Sequence, residues 1–221
     1  MQQEMTKRKN SKSFRFREMN ILIALILMCL LITIMNPRFL NPFNLQTIAR
    51  QVAIYGLLAV GETLVIITGG IDLSVGSLVA LIGVLVDLFM KGGLSVAFSI
   101  IIVLLISSLI GLTHGLFVTK LNVPPFIITL GTLTAARGLA SAITKGWPII
   151  GLPESFFFIG QGHIIGIPFP LIILLIFAAI AFFITRYTVL GRQLYATGGN
   201  IEAARLSGVN VDRRRIFAYV F

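Results

Sequence analysis

The sequence predicts an all-α, polytopic transmembrane helix bundle, with about six complete spans, the start of a seventh, and a cytoplasmic N-terminus. Three observations carry this. Of 221 residues, 57% are hydrophobic and only 12% charged, about half the charge of an ordinary soluble domain, which runs near 25%. Mean hydropathy is +0.97. The charges fall in a few clusters, and the stretches between them are almost pure Leu, Ile, Val, Phe, Ala and Gly, lengths of chain from which no water-facing surface can be built.

A spanning helix needs roughly 20 apolar residues, with a range near 17–25. The first candidate is Met19–Met35, which follows a basic arm, residues 1–18, holding Lys7, Arg8, Lys9, Lys12, Arg15 and Arg17. The pair resembles a signal peptide, but the apolar core is too long and no small-residue cleavage site follows, so it reads as a retained first helix. Only Cys29 and Thr33 interrupt its apolar surface, which suits lipid. Further candidates are 49–68, 75–90, 94–119, 125–142 and 168–185, and a seventh begins near Ile216. Asn36-Pro37, Gly69-Gly70, Gly92-Gly93, Pro124-Pro125 and Pro168/Pro170 separate them, all combinations that interrupt helix. Residues 19–221 are expected to form one transmembrane domain, and its end just inside the seventh segment is expected of a fragment.

Lys and Arg set the orientation. With the N-terminus inside, segments 1–18, 69–74, 120–124 and 186–215 hold 13 of them, against Arg38, Lys91 and Lys145 outside; Arg50 and Arg137 are placed in helix ends. The formal charge of +10 is thus a topology signal, and a nucleic-acid partner is not expected. One cysteine excludes an internal disulfide, and His114 and His163, 49 positions apart, make no metal pattern. No GxxxxGK[ST] occurs, so any ATP consumed is bound by a partner. No catalytic site, cofactor or metal is expected, since Glu62 and Asp87 lie on different segments and no acid–base cluster forms.

Several segments carry small or polar residues at helical spacing. They are Gln51, Tyr55, Ala59, Glu62 and Gly69; Gly76, Ala80, Gly83 and Asp87; and Ser107, Gly111 and Gly115, stripes that let helices approach closely. Glu62 in mid-membrane must face protein or water. It is either a substrate or proton contact, or a neutral acid bonded to a neighbouring helix. Asp87 is expected to reach the interface, Arg137 to snorkel or meet a carbonyl, and His114 to be a hydrogen-bonded packing residue.

Two stretches stand out. In the first, Thr68-Gly69-Gly70-Ile71-Asp72-Leu73-Ser74-Val75-Gly76-Ser77, two glycines end one helix and Asp72 or Ser74 can cap the next. A break of this kind at a membrane boundary is either a pathway wall or gate, with Glu62, Gly69, Gly70, Asp72 and Ser74 as its candidate residues, or an ordinary tight turn. The second lies in the cytoplasmic loop 186–215, where residues 198–208 read as a short helix. Asn200 suits its N-cap, Glu202 the first turn and Gly208 the C′ position. With Ala203 and Ala204 exposed, this helix either docks into a partner's groove or lies on the protein's own surface. Arg213, Arg214 and Arg215 are mostly topology signals that can also meet anionic lipid. Outside, residues 145–166, with Trp147, Glu154 and His163, form the longest connection.

At these stretches the chain resembles the permease subunit of bacterial ATP-binding-cassette (ABC) sugar importers of the ribose-type carbohydrate uptake family. Besides residues 61–77, the likeness rests on Phe126-Ile127-Ile128-Thr129-Leu130-Gly131-Thr132 with Arg137-Gly138, and on Gly191-Arg192 through Gly199-Asn200 to Arg205-Leu206-Ser207-Gly208-Val209-Asn210-Val211. It extends over most of the chain from about Asn41. The resemblance implies a path for a ribose-like monosaccharide in the bacterial inner membrane. It implies separate ABC ATPase subunits, an extracytoplasmic sugar-binding protein and a second permease copy as partners. It also implies a coupling helix at 200–208 that uses Asn200, Glu202, Ala203, Ala204, Arg205, Leu206 and Gly208 to meet the ATPase. Members of the family continue through several more helices. The competing expectations are an ion-coupled secondary transporter using Glu62, and a nonfunctional truncated permease.

Overall fold

A computed structural model describes residues 2–221, with side chains from Met19 onward; the side chains of the basic arm, 1–18, lie outside the described residues. Among the described residues the regular elements are helices except for one hairpin of two two-residue strands. It divides into two compact units, Met1–Ala49 and Arg50–Phe221.

The first unit holds α1 (Gln2–Met35) and the start of α2 (Pro42–Ile67). From Met19 to Met35 nearly every side chain is exposed, as a lipid-facing helix requires. A 3₁₀ turn, Pro37–Leu40, joins the helices. Asn36 caps it by accepting the Arg38 N–H, and Asn41 accepts the Phe43 N–H at 3.0 Å. Proline suits the first helical position, so α2 starts at Pro42. Reading the helix from residue 49 misses two turns, because Asn44, Gln46 and Thr47 break the apolar run without breaking the helix. Arg50 therefore sits within α2, just over two turns from its start, and not in a helix end.

The second unit continues with α3 (Val75–Lys91), α4 (Val96–Lys120), α5 (Pro125–Thr144), α6 (Glu154–Gln161), the hairpin β1 (His163–Ile164) and β2 (Ile167–Pro168), α7 (Phe169–Tyr187), α8 (Val189–Gly199), α9 (Ile201–Leu206) and α10 (Val211–Val220). Four helices, α2, α4, α5 and α7, are long and apolar enough to cross a membrane. The 17-residue Met19–Met35 and the 17-residue α3 stand at the short edge of that range. Asp87 is buried on α3 and pairs with Lys91 at 2.8 Å instead of reaching out alone. Arg137 is exposed, as expected.

Two apolar cores hold this unit together. Leu81 and Val84 of α3 meet Ala136 and Ala140 of α5. Leu64 and Val65 of α2, Val118 of α4, Leu194 of α8 and Ala218 and Tyr219 of α10 form the other. A close seam joins α4 to α10: a Cβ on Gly111 would overlap the Tyr219 carbonyl, and one on Gly115 would lie 2.7 Å from Ile216 Cα. Four residues apart, these glycines share one face of α4 and bring the two backbones into contact. Outside the cores, long apolar side chains on α1, α4, α5 and α7 are exposed, a surface made for lipid.

Candidate functional site

The break between α2 and α3 is the polar centre of the second unit. Gly69 has φ +78°, a left-handed conformation that glycine adopts without a Cβ penalty. Its N–H donates to Ile66 O at 2.9 Å and the Gly70 N–H to Val65 O at 3.0 Å. This is the paired C-terminal closure in which C′ and C″ amides satisfy the last carbonyls of the helix. α2 thus stops where the two glycines predict.

The start of α3 differs from expectation. Ser74 is its N-cap by position but makes no side-chain cap bond, because its backbone is already helical (φ −81°, ψ −16°) and not in the extended region from which a cap reaches forward. Instead its hydroxyl and its N–H, the latter at 2.7 Å, both donate to Asp72 Oδ1. The carboxylate of Asp72 is therefore spent on folding the loop upon itself.

Three other elements converge on this loop. From α2, Glu62 Oε1 accepts the Asp72 N–H at 3.1 Å. From α4, His114 places Nδ1 3.5 Å from Asp72 Oδ2, an electrostatic contact longer than a good hydrogen bond. The other ring nitrogen, Nε2, lies 2.8 Å from Thr132 Oγ1 of α5. From α10, the Tyr219 hydroxyl donates to Ile71 O at 3.4 Å, and its ring stands edge-on to His114. His114, only 1% exposed, is a hydrogen-bonded packing residue as expected, and it also carries the break's carboxylate. It precedes Lys120, the end of α4, by six residues, which is about 9 Å at 1.5 Å per residue.

Glu62, Asp72, His114 and Tyr219 line one cavity of about 500 Å³, whose other walls are largely apolar residues of α2, α3 and α10, with Phe156 of α6. Among the described residues no group of His, Cys, Asp or Glu is arranged to hold a metal ion. The structure thus brings Glu62, Gly69, Gly70, Asp72 and Ser74 together, and adds His114, Thr132 and Tyr219. His114 is the one with a sequence signal, lying between Gly111 and Gly115 on the small-residue face.

The stretch before α10 holds two short helices, α8 and the expected α9. α8 begins at Thr188, whose hydroxyl accepts the Gly191 N–H at 3.1 Å. It ends with Gly198 against the terminus of α2, where any Cβ would overlap the Ile67 carbonyl. Next comes α9. Asn200 Oδ1 accepts the Ala203 N–H at 2.9 Å, with Glu202 in the first turn. At the other end Gly208, at φ +81°, donates to Arg205 O and Val209 to Ala204 O, both at 3.0 Å. Caps and closure match the sequence reading.

The exposure of the two alanines does not match it. Ala203 is exposed, but Ala204 is 4% exposed. Adjacent positions on a helix differ by about 100°, so one alanine faces in when the next faces out. Leu206 stands out at 91% exposed. Behind α9, Asp212 bridges three elements: Lys120 of α4 donates to Oδ2 at 2.8 Å and Arg205 of α9 to Oδ1 at 3.0 Å. The Lys120 ammonium foremost, with Arg205, holds the Asp212 carboxyl below the usual carboxylate range, against a partial burial that pushes it up. α10 begins at Val211, so Arg213, Arg214 and Arg215 belong to its first turns.

A polytopic helical bundle with a polar helix break beside a cavity, and a short capped helix carrying an exposed leucine, fits a membrane transport component. The chain belongs to the family described as branched-chain amino acid transport system / permease component, whose model matches residues 44–221. It is a multi-pass protein of the inner membrane. Among its relatives, the ribose import permease protein RbsC of Bacillus subtilis (strain 168) is 40% identical over 199 residues, which is 89% of this chain and 62% of the relative. RbsC of Haemophilus influenzae is 40% identical over 206 residues, 91% of this chain and 64% of the relative. The autoinducer 2 import system permease protein LsrC of Yersinia enterocolitica is 36% identical over 219 residues, 96% and 60%. The chain spans less than two thirds of the length of these relatives. No solved structure matches it.

Proposed function

We propose that residues 19–221 belong to the membrane-spanning subunit of an ABC importer that passes a ribose-like monosaccharide across the inner membrane. The sugar is delivered by an extracytoplasmic binding protein, and ATP hydrolysis on separate ATPase subunits drives the cycle. The permease acts in a pair, surrounded by membrane lipid, and lines the path without covalent chemistry. In this reading residues 200–208 form the coupling helix, and the break with Glu62, Gly69, Gly70, Asp72 and Ser74 forms a wall or gate of the path.

The observation that carries the reading is α9. A six-residue helix cannot hold itself together in water. This one is fixed by Asn200, by the closure at Gly208 and by the Arg205–Asp212–Lys120 bridge, and yet it holds Leu206 out in the open. A rigid, exposed apolar tip suits a groove on a cytoplasmic partner. Ala203, Leu206 and Glu202 face that partner, whereas Ala204 and Arg205 hold the helix in place.

The test is uptake of labelled ribose by cells expressing the full-length protein with its ATPase and binding protein. The ABC reading expects uptake to stop on ATP depletion and to survive an uncoupler. The reverse result favours ion coupling through Glu62.

A further inference from the structure

Three polar atoms at one end of the cavity are left with nothing adequate to bond. His114 is almost wholly buried, and its Nδ1 makes no hydrogen bond. Glu62 Oε2 is also buried and unpartnered, since only Oε1 receives the Asp72 N–H. The Tyr219 hydroxyl has one long contact, 3.4 Å to Ile71 O. Buried polar atoms are costly unless paired, and these three residues line the same space. Each is held by other bonds of the fold: Glu62 through Oε1, His114 through Thr132, Tyr219 through the seam with α4.

These free atoms define the ligand's chemistry. Glu62 Oε2 accepts. Thr132 Oγ1 donates to Ile128 O and so takes the Nε2–H, which leaves Nδ1 of the neutral imidazole as an acceptor. The Tyr219 oxygen, whose hydrogen goes to Ile71 O, also has a lone pair to offer. Neighbouring hydroxyls on one small ring can donate to all three. The remaining lining, Leu78 and Ile82 among it, is apolar and suits the C–H faces of such a ring. About 500 Å³ falls within the roughly 300–1,000 Å³ of small-molecule sites.

We propose that Glu62, His114 and Tyr219 form a polyol subsite that holds a monosaccharide beside the α2–α3 break during passage. The proposal rests on the importer reading above. Glu62 Oε2 accepts from a sugar hydroxyl, and His114 Nδ1 and the Tyr219 hydroxyl bond neighbouring hydroxyls. Asp72 positions His114 and the loop without touching the sugar.

The test uses the full-length permease, its ATPase and its binding protein in proteoliposomes, with ribose and each of its monodeoxy analogues, read as kcat/KM for uptake. Glu62→Gln keeps a carbonyl for the Asp72 N–H and turns the free acceptor into a donor. Tyr219→Phe removes only a hydroxyl, and serves if the first variant fails to co-purify with the ATPase. In the wild type at least one analogue should be taken up about tenfold less well than ribose. In the variant, ribose uptake should fall by a similar factor and that analogue's penalty should nearly vanish, because the contact it lacks is already gone. The binding protein is the same in both, so its own preferences cancel. Unchanged penalties in both variants, or no penalty in the wild type, overturn the subsite alone. No ribose uptake by the wild type overturns the importer reading beneath it.

Discussion

The break at the end of α2 and the small helix α9 close in the same way. Each places a glycine in the left-handed conformation, Gly69 at φ +78° and Gly208 at φ +81°, and each returns two amides to the last turn. Their surroundings are opposite. The first closure leads into a loop packed under α2, α4 and α10, whose polar groups are answered within the loop by Asp72 and from outside it by Glu62, His114 and Tyr219. The second stands in the open and ends beside Leu206, which touches almost nothing. One local device therefore serves two settings: in the interior it fixes a polar loop, and on the surface it holds a short helix with an exposed leucine.

If that contrast is right, changes in the interior should cost stability, whereas changes at the surface should cost coupling. The largest effect is expected from Asp72→Ala. It strips the two Ser74 bonds and the acceptor side of the loop, and leaving buried donors unpaired costs about 1–3 kcal/mol each. A thermal melt in detergent should show it, and an unchanged melting temperature would break the comparison at its stronger half. Gly69→Ala and Gly208→Ala should each cost about 1–2 kcal/mol, the penalty of a Cβ in the left-handed region. Should only the interior glycine matter, the shared closure is a likeness of shape alone.

Leu206→Asp should leave the melt within about 0.5 kcal/mol, as exposed substitutions do, while abolishing ATP-driven uptake by the assembled transporter. Ala203→Arg should act the same way. Ala204→Arg should not, because that position is buried, and its variant should melt earlier. The smallest effect belongs to Asp212. Its carboxyl is held below the ordinary 3.8, so its contribution is full above that value and fades as the pH falls through the lower folded value. Asp212→Asn should remove less than about 1 kcal/mol at neutral pH, as expected of exposed pairs. It should also flatten the loss of stability below about pH 4.

Local rules found both closures and both ends of α9, because a capped helix end is written in adjacent residues. They failed where a residue's role depends on what lies across from it. Gly191 read as a loop residue and Gly198 as part of the short helix that follows, yet both lie in α8, and Gly198 is where its backbone meets the end of α2. Arg213, Arg214 and Arg215 read as a loop signal, yet they wind the first turns of α10. Ala204 carried no sign of which side it faces. The meeting of Glu62, Asp72, His114, Thr132 and Tyr219 joins residues up to 157 positions apart, and no spacing announces it. Even so, Glu62 was marked by its cost in a membrane, and Asp72 by the two glycines before it.

Where α4 and α10 meet, Gly111 and Gly115 leave backbone against backbone, with no side chain between to bend or change rotamer. A joint with so little compliance has almost no lost motion. Asp212, at the foot of α10, is tied to Arg205 of α9, and Tyr219, two turns higher, touches the break. One closely packed helix, α10, thus joins the small helix α9 to the carbonyl of Ile71 in the break.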